Sequence, residues 1–345
     1  MSSARAIRRR ACLLAAAAAI AGVRADLLVG SGSATGLVLS RWSLSTNASS
    51  PLGAPLSGLS PSPSTPAWLR LPKAGAGAGS GADGAVDGVL VFGPQATPTT
   101  EHLVQWSLAS SSRAAPDIAL SSDDRCFLLF ESAADAASGA SVSCLSEVDA
   151  GPRTTTVLRR IMRATGKISS VATVLPYYGP AGPAAHDVSR GVVLVVYFCA
   201  KPCAAPQGTY VLALDEATAA TRSSAAVAAD VRIIALAQGA GSTFALAGVG
   251  AGVFAGTIDI ATAVFTPLVA SPDFSRTFAY ISTNTAAALG GGAMWFAAVT
   301  QSEGADGGPP VSTPWLVGVD NRTGALIYAA PSDGIVTFSY LLWLR

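Results

Sequence analysis

Trp315-Leu-Val-Gly-Val-Asp320-Asn-Arg-Thr323-Gly324-Ala-Leu-Ile-Tyr328 is a hairpin written in one line. An apolar run of strand length comes first, then Asp-x-x-Thr, then a second apolar run. Asp and Thr side chains bond nearby backbone N–H groups, so the middle reads as a tight turn. The same core recurs upstream as Leu-Ala-Leu-Asp215-Glu-Ala-Thr218 and Gly-Thr-Ile-Asp259-Ile-Ala-Thr262. Nearer the amino terminus, Trp-Ser-Leu stands at 42–44 and again at 106–108, and a looser copy covers 142–149.

Each copy follows a short apolar run, at 27–29, 89–92, 127–130, 192–198, 244–249 and 294–299. A loop of variable length separates run from copy, and another apolar piece follows the turn. The unit is strand, loop, strand, turn, strand. Six such units recur about every 53 residues, a period that suits β-propeller blades of four strands. Innermost strands are expected between units, at 68–72, 168–175, 232–237 and 278–283. Residues 112–124 are too few for an outer and an inner strand together, so the third unit is expected to be irregular. Residues 217–229 are Ala-rich, but their repeat position makes them turn plus strand. The expected fold is all-β, a six-bladed β-propeller. It closes by pairing the C-terminal strand, 335–344, with the N-terminal blade at 27–29, which removes open sheet edges.

These repeats resemble the quinoprotein-type (PQQ-like) propeller repeat, whose blades carry an apolar–Asp–x–x–Thr–Gly turn. The likeness recurs across most of the chain. Among the copies quoted, the sixth alone has the full Thr323-Gly324, and Tyr328 stands nearest to the family's Trp after the turn. The resemblance implies the fold, not quinone chemistry.

Residues 1–25 have the layout of a secretory signal peptide. Arg5, Arg8, Arg9 and Arg10 precede an apolar stretch at 11–23, and Val23-Arg24-Ala25 offers a cleavage point. An apolar core of about 13 residues is short of the ~20 needed to span a bilayer. A mitochondrial transit peptide is the alternative, since the segment is Arg-rich and lacks acids. The remainder, 26–345, reads as one propeller domain with flexible Ser/Pro-rich and Gly/Ala-rich loops at 48–66 and 74–88. Gly and Asp residues break the apolar stretch 231–270 into strand-length pieces, so no membrane span is expected in the mature chain.

Secretion fits the cysteines. Cys126, Cys144, Cys199 and Cys203 remain after the leader, an even number. Cys126 and Cys144 lie on opposite sides of a hairpin centred near Asp135, and Cys199 and Cys203 bracket the next loop, so the expected disulfides are 126–144 and 199–203. Asn47-Ala-Ser and Asn321-Arg-Thr are glycosylation sequons.

The chain of 345 residues is 50% apolar and only 12% charged, with a mean hydropathy of +0.45. Soluble domains average about 25% charged residues. Without the leader, 17 basic groups face 21 acidic ones. Neither nucleic acid nor an anionic membrane is an expected partner.

Catalytic signatures are scarce. His102 opens a repeat strand beside Glu101. His186-Asp187 lies in a long loop, 177–190, with Tyr177 and Tyr178, but neighbours in a strand point apart and no nucleophile motif accompanies them. Cys199-x-x-x-Cys203 lacks the second pair a zinc site needs. Three Asn residues and few inner-strand acids argue against a channel calcium. Gly79-Ser-Gly-Ala-Asp-Gly84 lacks the strand and helix of a dinucleotide site. No metal and no cofactor are expected.

Arg153, Arg159, Arg160, Arg163 and Lys167 form a basic cluster on an expected outer strand and its turn. It reads as a charged, protected edge, or as a patch for sulfated glycan or an acidic partner. Loops 93–101, 131–141, 199–208, 247–252 and 300–314 are expected to share one rim with 177–190. Tyr177, Tyr178 and His186 are the ligand-binding candidates there. The expected function is a secreted binding or interaction module for glycan or protein ligands. The alternatives are an extracellular propeller enzyme, a hydrolase or oxidoreductase, and a structural matrix protein.

Overall fold

The computed structural model describes residues 26–33, 36–56, 68–71, 88–94, 101–107, 112–113, 117–119, 125–138, 140–149, 154–163, 165–176, 181–199, 205–239, 242–281, 288–290, 292–302, 310–332 and 338–344. It is an all-β propeller, and every described strand pairing is antiparallel. The strands form six sheets.

Sheet 1 joins the two ends of the chain. β1 (Asp26–Ser33) pairs with β2 (Gly36–Ser43), which pairs with β3 (Ala48–Pro51). On its other side β1 takes β26 (Phe338–Leu344), with Leu27 opposite Trp343 and Leu28 opposite Leu342. The expected closure by the last strand is therefore present. The stretch 48–66 is not loop throughout. Residues 48–51 are the outer strand, and Leu56, fully buried, bridges back to Leu37. Backbone hydrogen bonds, from Leu52 N–H to Leu39 O and from Leu56 N–H to Leu37 O, hold this part down despite its Ser/Pro content.

Sheet 2 contains β4 (Trp68–Leu71), β5 (Gly88–Pro94), β6 (Glu101–Ser107) and two short outer pieces, β7 (Ser112–Arg113) and β8 (Ile118–Ala119). His102 lies in β6, paired on both sides rather than at an edge. Sheet 3 is β9 (Arg125–Phe130), β10 (Ser141–Asp149), β11 (Thr154–Met162) and β12 (Ile168–Pro176). Sheet 4 is β13 (Ala181–Asp187), β14 (Val192–Cys199), β15 (Gly208–Asp215) and β16 (Thr221–Ala226). Sheet 5 is β17 (Val231–Gly239), β18 (Ser242–Val249), β19 (Gly252–Ile258) and β20 (Phe265–Pro267). Sheet 6 is β21 (Tyr280–Ile281), β22 (Ala288–Gly290), β23 (Ala293–Ser302), β24 (Val311–Asp320) and β25 (Leu326–Pro331).

The expected irregularity falls in sheets 2 and 3, and it shifts one strand. Residues 112–113 and 118–119 form β7 and β8, which both pair with β6. The inner position of sheet 3 passes to β9, which packs beside β4 and β13. β10 and β11 become second and third strands, and β12 pairs with β11 as the outer one. The expectation that 168–175 begins the next blade is thus corrected. That inner strand is β13, inside the stretch read as the loop 177–190.

The core lies between the sheets, face to face. Sheets 1 and 6 meet through Leu27, Val29, Trp42, Trp295, Leu316 and Tyr328. Sheets 5 and 6 meet through Leu246, Phe274, Met294, Phe296, Val317 and Val319. Sheets 3 and 4 meet through Phe130, Leu145, Leu158, Val195, Tyr197 and Leu212. Sheets 4 and 5 meet through Leu194, Val196, Val211, Ile233, Leu236 and Ala247. Each fully buried side chain of this size contributes about 1.5–3 kcal/mol. This explains a chain rich in Val, Leu and Ala and poor in charge: strands covered on both faces need apolar residues throughout.

Cys126 and Cys144 form a disulfide across the β9–β10 hairpin. They are not directly opposed. Cys126 faces Ser146 and Cys144 faces Leu129, because the register shifts between Leu145 and Ser146. Cys199 is also disulfide-bonded. Its expected partner Cys203 lies outside the described residues, as do residues 1–25, 57–66 and 74–87.

Candidate functional site

Antiparallel alternation gives the propeller two unlike ends. Turns from first to second strand and from third to fourth strand leave at one end. Connections from second to third strand, and from sheet to sheet, leave at the other.

The first end is built from one repeated turn. Asp215 Oδ1 accepts from the N–H of Ala217 (3.1 Å), the N–H of Thr218 (2.9 Å) and the hydroxyl of Thr218 (2.8 Å). Asp259 Oδ1 does the same with Ala261 and Thr262. Asp320 Oδ1 does so with Arg322 and Thr323. The residue after Thr has positive φ in each: Ala219 at 55°, Ala263 at 54°, Gly324 at 82°. Asn47 (53°) and Gly166 (67°) mark the same turn after Ser43 and Met162. Met162 N–H donates to Lys167 O at 3.0 Å, as Asp320 N–H donates to Ala325 O at 2.9 Å. Thr165-Gly166 is therefore a second full Thr-Gly turn. It escapes sequence reading because Met162 occupies the Asp position, and it fixes β11, not β10, as the repeat strand of sheet 3.

Hydrogen bonding sets these carboxyls below their usual range. For Asp215 the cause is first the Arg222 guanidinium (Nη2 to Oδ2, 2.6 Å) and then the Thr218 hydroxyl. For Asp259 it is the N–H and hydroxyl of Thr262. For Asp320 burial pulls the other way, and the bonds from Thr323 and Arg322 outweigh it.

Between these turns lies a polar network that joins sheets 3, 4 and 5. His186 is in β13, half-buried, not in a loop. Its Nε2 stands 2.7 Å from Oε2 of Glu216, in the turn after β15, and its ring lies 4.8 Å from that of Phe130. Oε1 of Glu216 accepts from the N–H of Ala133 in the neighbouring sheet, at 2.8 Å. Asp187 points the other way. It accepts from Ser189 (2.6 Å) and from Gln238 Nε2 in sheet 5 (2.6 Å), and Gln238 in turn accepts from Thr243. Adjacent strand residues do point apart here, so the partner of His186 is Glu216, 30 positions away, and not Asp187. No sequence signal gives that pairing.

Asp135 anchors the cluster's other side. Ser132 and Asp135 form a reciprocal cap on the helix α1 (Ala133–Ser138): Ser132 N–H donates to Asp135 Oδ2, and Asp135 N–H donates to Ser132 Oγ. The hydroxyls of Ser132 (2.8 Å), Ser143 (2.6 Å) and Ser141 also donate to its carboxylate. Burial raises this carboxyl, and the three hydroxyls more than reverse that, so it sits low. Glu131 behaves oppositely: burial pushes it up, against the Arg163 charge. The Ser-x-x-Asp spacing was the legible signal for this cap.

The basic cluster is placed accordingly. Arg159 and Arg160 lie on the third strand, β11, not an outer one, and Arg163 and Lys167 lie in its turn. Arg160 Nε stands 3.2 Å from Asp135 Oδ1. Arg163 is half-buried, with Glu131 and Asp135 sustaining its charge against desolvation. Arg153, Tyr177 and Tyr178 lie outside the described residues.

The second end carries the variable connections. Loop 131–141 is not among them, since the shifted strand moves it to the turn end. Phe198 is 40% exposed there, beside buried Cys199. Tyr197 stacks on Tyr210 at 5.4 Å, and Trp315 Nε1 donates to Thr300 Oγ1 at 2.9 Å. Asn47 and Asn321 both sit in turns of the first end.

Chemically, Glu216 presents an oriented imidazole, the arrangement of a general base. No hydroxyl or thiol is bonded to that ring among the described residues. No group of three metal-ligating side chains gathers among them either.

Sheets of this kind, with stereotyped turns at one end and unequal loops at the other, define a β-propeller. No protein-family model matches the sequence, and no curated protein does. Among solved structures it is similar to TolB from Acinetobacter baumannii, at 10% identity and a TM-score of 0.53, over 93% of this chain and 66% of that one. The chain thus spans just under two thirds of that protein. It is also similar to the Aleuria aurantia lectin, a six-bladed propeller with a fucose recognition mode, at 11% identity and a TM-score of 0.50, over 91% and 97% of the two chains. These identities bear on the fold alone.

Proposed function

We propose that this chain is a secreted, six-bladed β-propeller that binds a glycan or protein ligand at its loop end. The count treats each sheet as a blade and adds the junction of sheets 1 and 2 to the five inner-strand junctions that are packed among the described residues. The carrying observation is the contrast between the ends. One is fixed by a repeated turn, while the other joins second to third strands by connections ranging from two residues, Gly250–Ala251, to eight, 303–310. Loops of unequal length on a rigid scaffold are where recognition concentrates. Phe198 offers an exposed aromatic face at that end. The lectin neighbour, itself a fucose binder, supports a glycan. The Cys126–Cys144 disulfide and the absence, among the described residues, of any helix long and apolar enough to cross a membrane are compatible with secretion. Arg160 and Arg163 of the basic cluster serve the scaffold through Asp135 and Glu131. A glycan array on residues 26–345 tests the reading. Binding that Phe198→Ala reduces tenfold or more supports it, and an array without signal, together with no captured extracellular protein, removes it.

A hydrolase is the second reading, favoured by the His186–Glu216 pair alone. A panel of ester and glycoside substrates would show turnover abolished by His186→Ala.

A further inference from the structure

The two sequons differ in what their side chains already do. Asn47 is at the exposed tip of the β2–β3 turn, in the left-handed conformation that Asn tolerates better than most residues. Its Oδ1 accepts from the hydroxyl of Tyr328, at 2.5 Å, and that hydroxyl accepts from Trp42 Nε1, at 2.9 Å. The indole can only donate, so the Tyr328 proton goes to Asn47. This turns the amide oxygen inward, toward the seam between sheets 1 and 6, and leaves Nδ2 facing away. Ser49 is exposed, and its hydroxyl has no hydrogen-bond partner among the described residues. At Asn321 the sequon hydroxyl is already used. Thr323 Oγ1 donates to Asp320 Oδ1 at 2.8 Å, within a turn that also takes the Asn321 N–H to Gly292 O. The bonds of Asp320 to Arg322 and Thr323 close within the turn itself, so they compete locally with an extended acceptor peptide.

We infer that Asn47 is the sequon of this chain that carries an N-linked glycan, and that the sugar sits on the outside of the Trp42–Tyr328–Asn47 clasp without opening it. The inference rests on the secretory reading. In the transfer, Nδ2 attacks the anomeric carbon of a lipid-diphosphate-linked oligosaccharide. The N–C bond forms, the C–O bond to the diphosphate breaks, the lipid diphosphate leaves with the electron pair, and Nδ2 loses one proton to the transferase. Oδ1 takes no part and keeps its bond to Tyr328.

The test expresses the chain behind a foreign secretory leader in a eukaryotic host, so that entry into the pathway does not depend on residues 1–25. Ser49→Ala removes the first sequon while leaving Asn47 and its clasp, and Asn321→Gln removes the second while leaving Thr323. The expected result is one glycan, released by a peptide N-glycosidase with conversion of Asn47 to Asp in the peptide mass spectrum. It is lost in Ser49→Ala and kept in Asn321→Gln, and both variants unfold at the denaturant midpoint of the glycosylated parent, in which Asn47 and its clasp are equally intact. A secreted chain without glycan, a glycan on Asn321 alone, or one surviving Ser49→Ala overturns the inference. Ligand binding on the array is scored separately, so loss of the glycan and loss of the lectin-like reading remain distinct outcomes.

Discussion

Glu216 Oε2 holds His186 Nε2 at 2.7 Å, while the same carboxylate accepts the N–H of Ala133 from the adjacent sheet at 2.8 Å. One side chain, only 10% exposed, therefore ties two sheets together. Hydrogen bonds to charged groups contribute about 1.5–3 kcal/mol each. Glu216→Ala is expected to destabilise the fold by roughly 2–4 kcal/mol, since it leaves a backbone N–H without its acceptor. Glu216→Gln keeps an oxygen for Ala133 and is expected to cost less than half as much. Urea unfolding followed by tryptophan fluorescence measures both, and equal losses would show that the bridge to Ala133 contributes nothing.

Gly324 is where the turn demands glycine. Its φ is +82°, and a Cβ there would lie 2.6 Å from Leu268 Cβ and 2.9 Å from Ser271 N. A left-handed conformation costs a residue with a side chain about 1–2 kcal/mol, and forced contacts add about 1–3 kcal/mol. Gly324→Ala is expected to lose about 2–4 kcal/mol. Ala219→Gly, at the matching position, relieves strain but removes a buried methyl, and its net effect is expected within about 0.5 kcal/mol of zero. Thermal unfolding of the two variants side by side checks the contrast.

Acid should undo the turns. The carboxyls of Asp215, Asp259 and Asp320 are lower in the folded chain than the ~3.9 of an unfolded one. Groups depressed in this way stabilise above the unfolded value and lose that contribution as pH falls through the folded one. Urea midpoints are expected to hold level from neutral pH to about 5 and to fall below about 4. Asp320→Asn is expected to flatten the fall. A midpoint that rises on acidification would contradict the role of these carboxylates.

The Cys126–Cys144 link closes a loop with a sequence separation of 18, and both residues are buried. Loops of that length restrain the unfolded chain by about 3 kcal/mol. Cys126→Ala/Cys144→Ala is expected to lose about that much in chemical unfolding, with the native fluorescence spectrum unchanged.

Much of the fold was legible because its signals are local. The Asp-x-x-Thr turns of 215–218, 259–262 and 320–323 close within five residues, and the apolar runs before them became β14, β18 and β23. The third sheet departs from expectation where the local signal is absent: Met162 stands in place of Asp, so nothing local marks Thr165-Gly166 as the turn that joins β11 to β12. His186 is expected on a loop of the ligand-binding rim, whereas it lies in the strand β13, at the turn end beside Glu216. Ala181-Gly-Pro-Ala-Ala185 reads as a breaker-rich stretch, yet pairing with β14 makes it a strand.

The repeated strand–turn–strand unit, the turn chemistry and the apolar, charge-poor core follow from the amino-acid sequence, since each depends on bonds and burial within a few residues. Tertiary packing alone set the remainder: Glu216 beside His186, Tyr328 between Trp42 and Asn47. Those contacts join residues 30 to more than 280 positions apart, and their stability comes from which sheets lie face to face, a condition no short stretch of chain encodes.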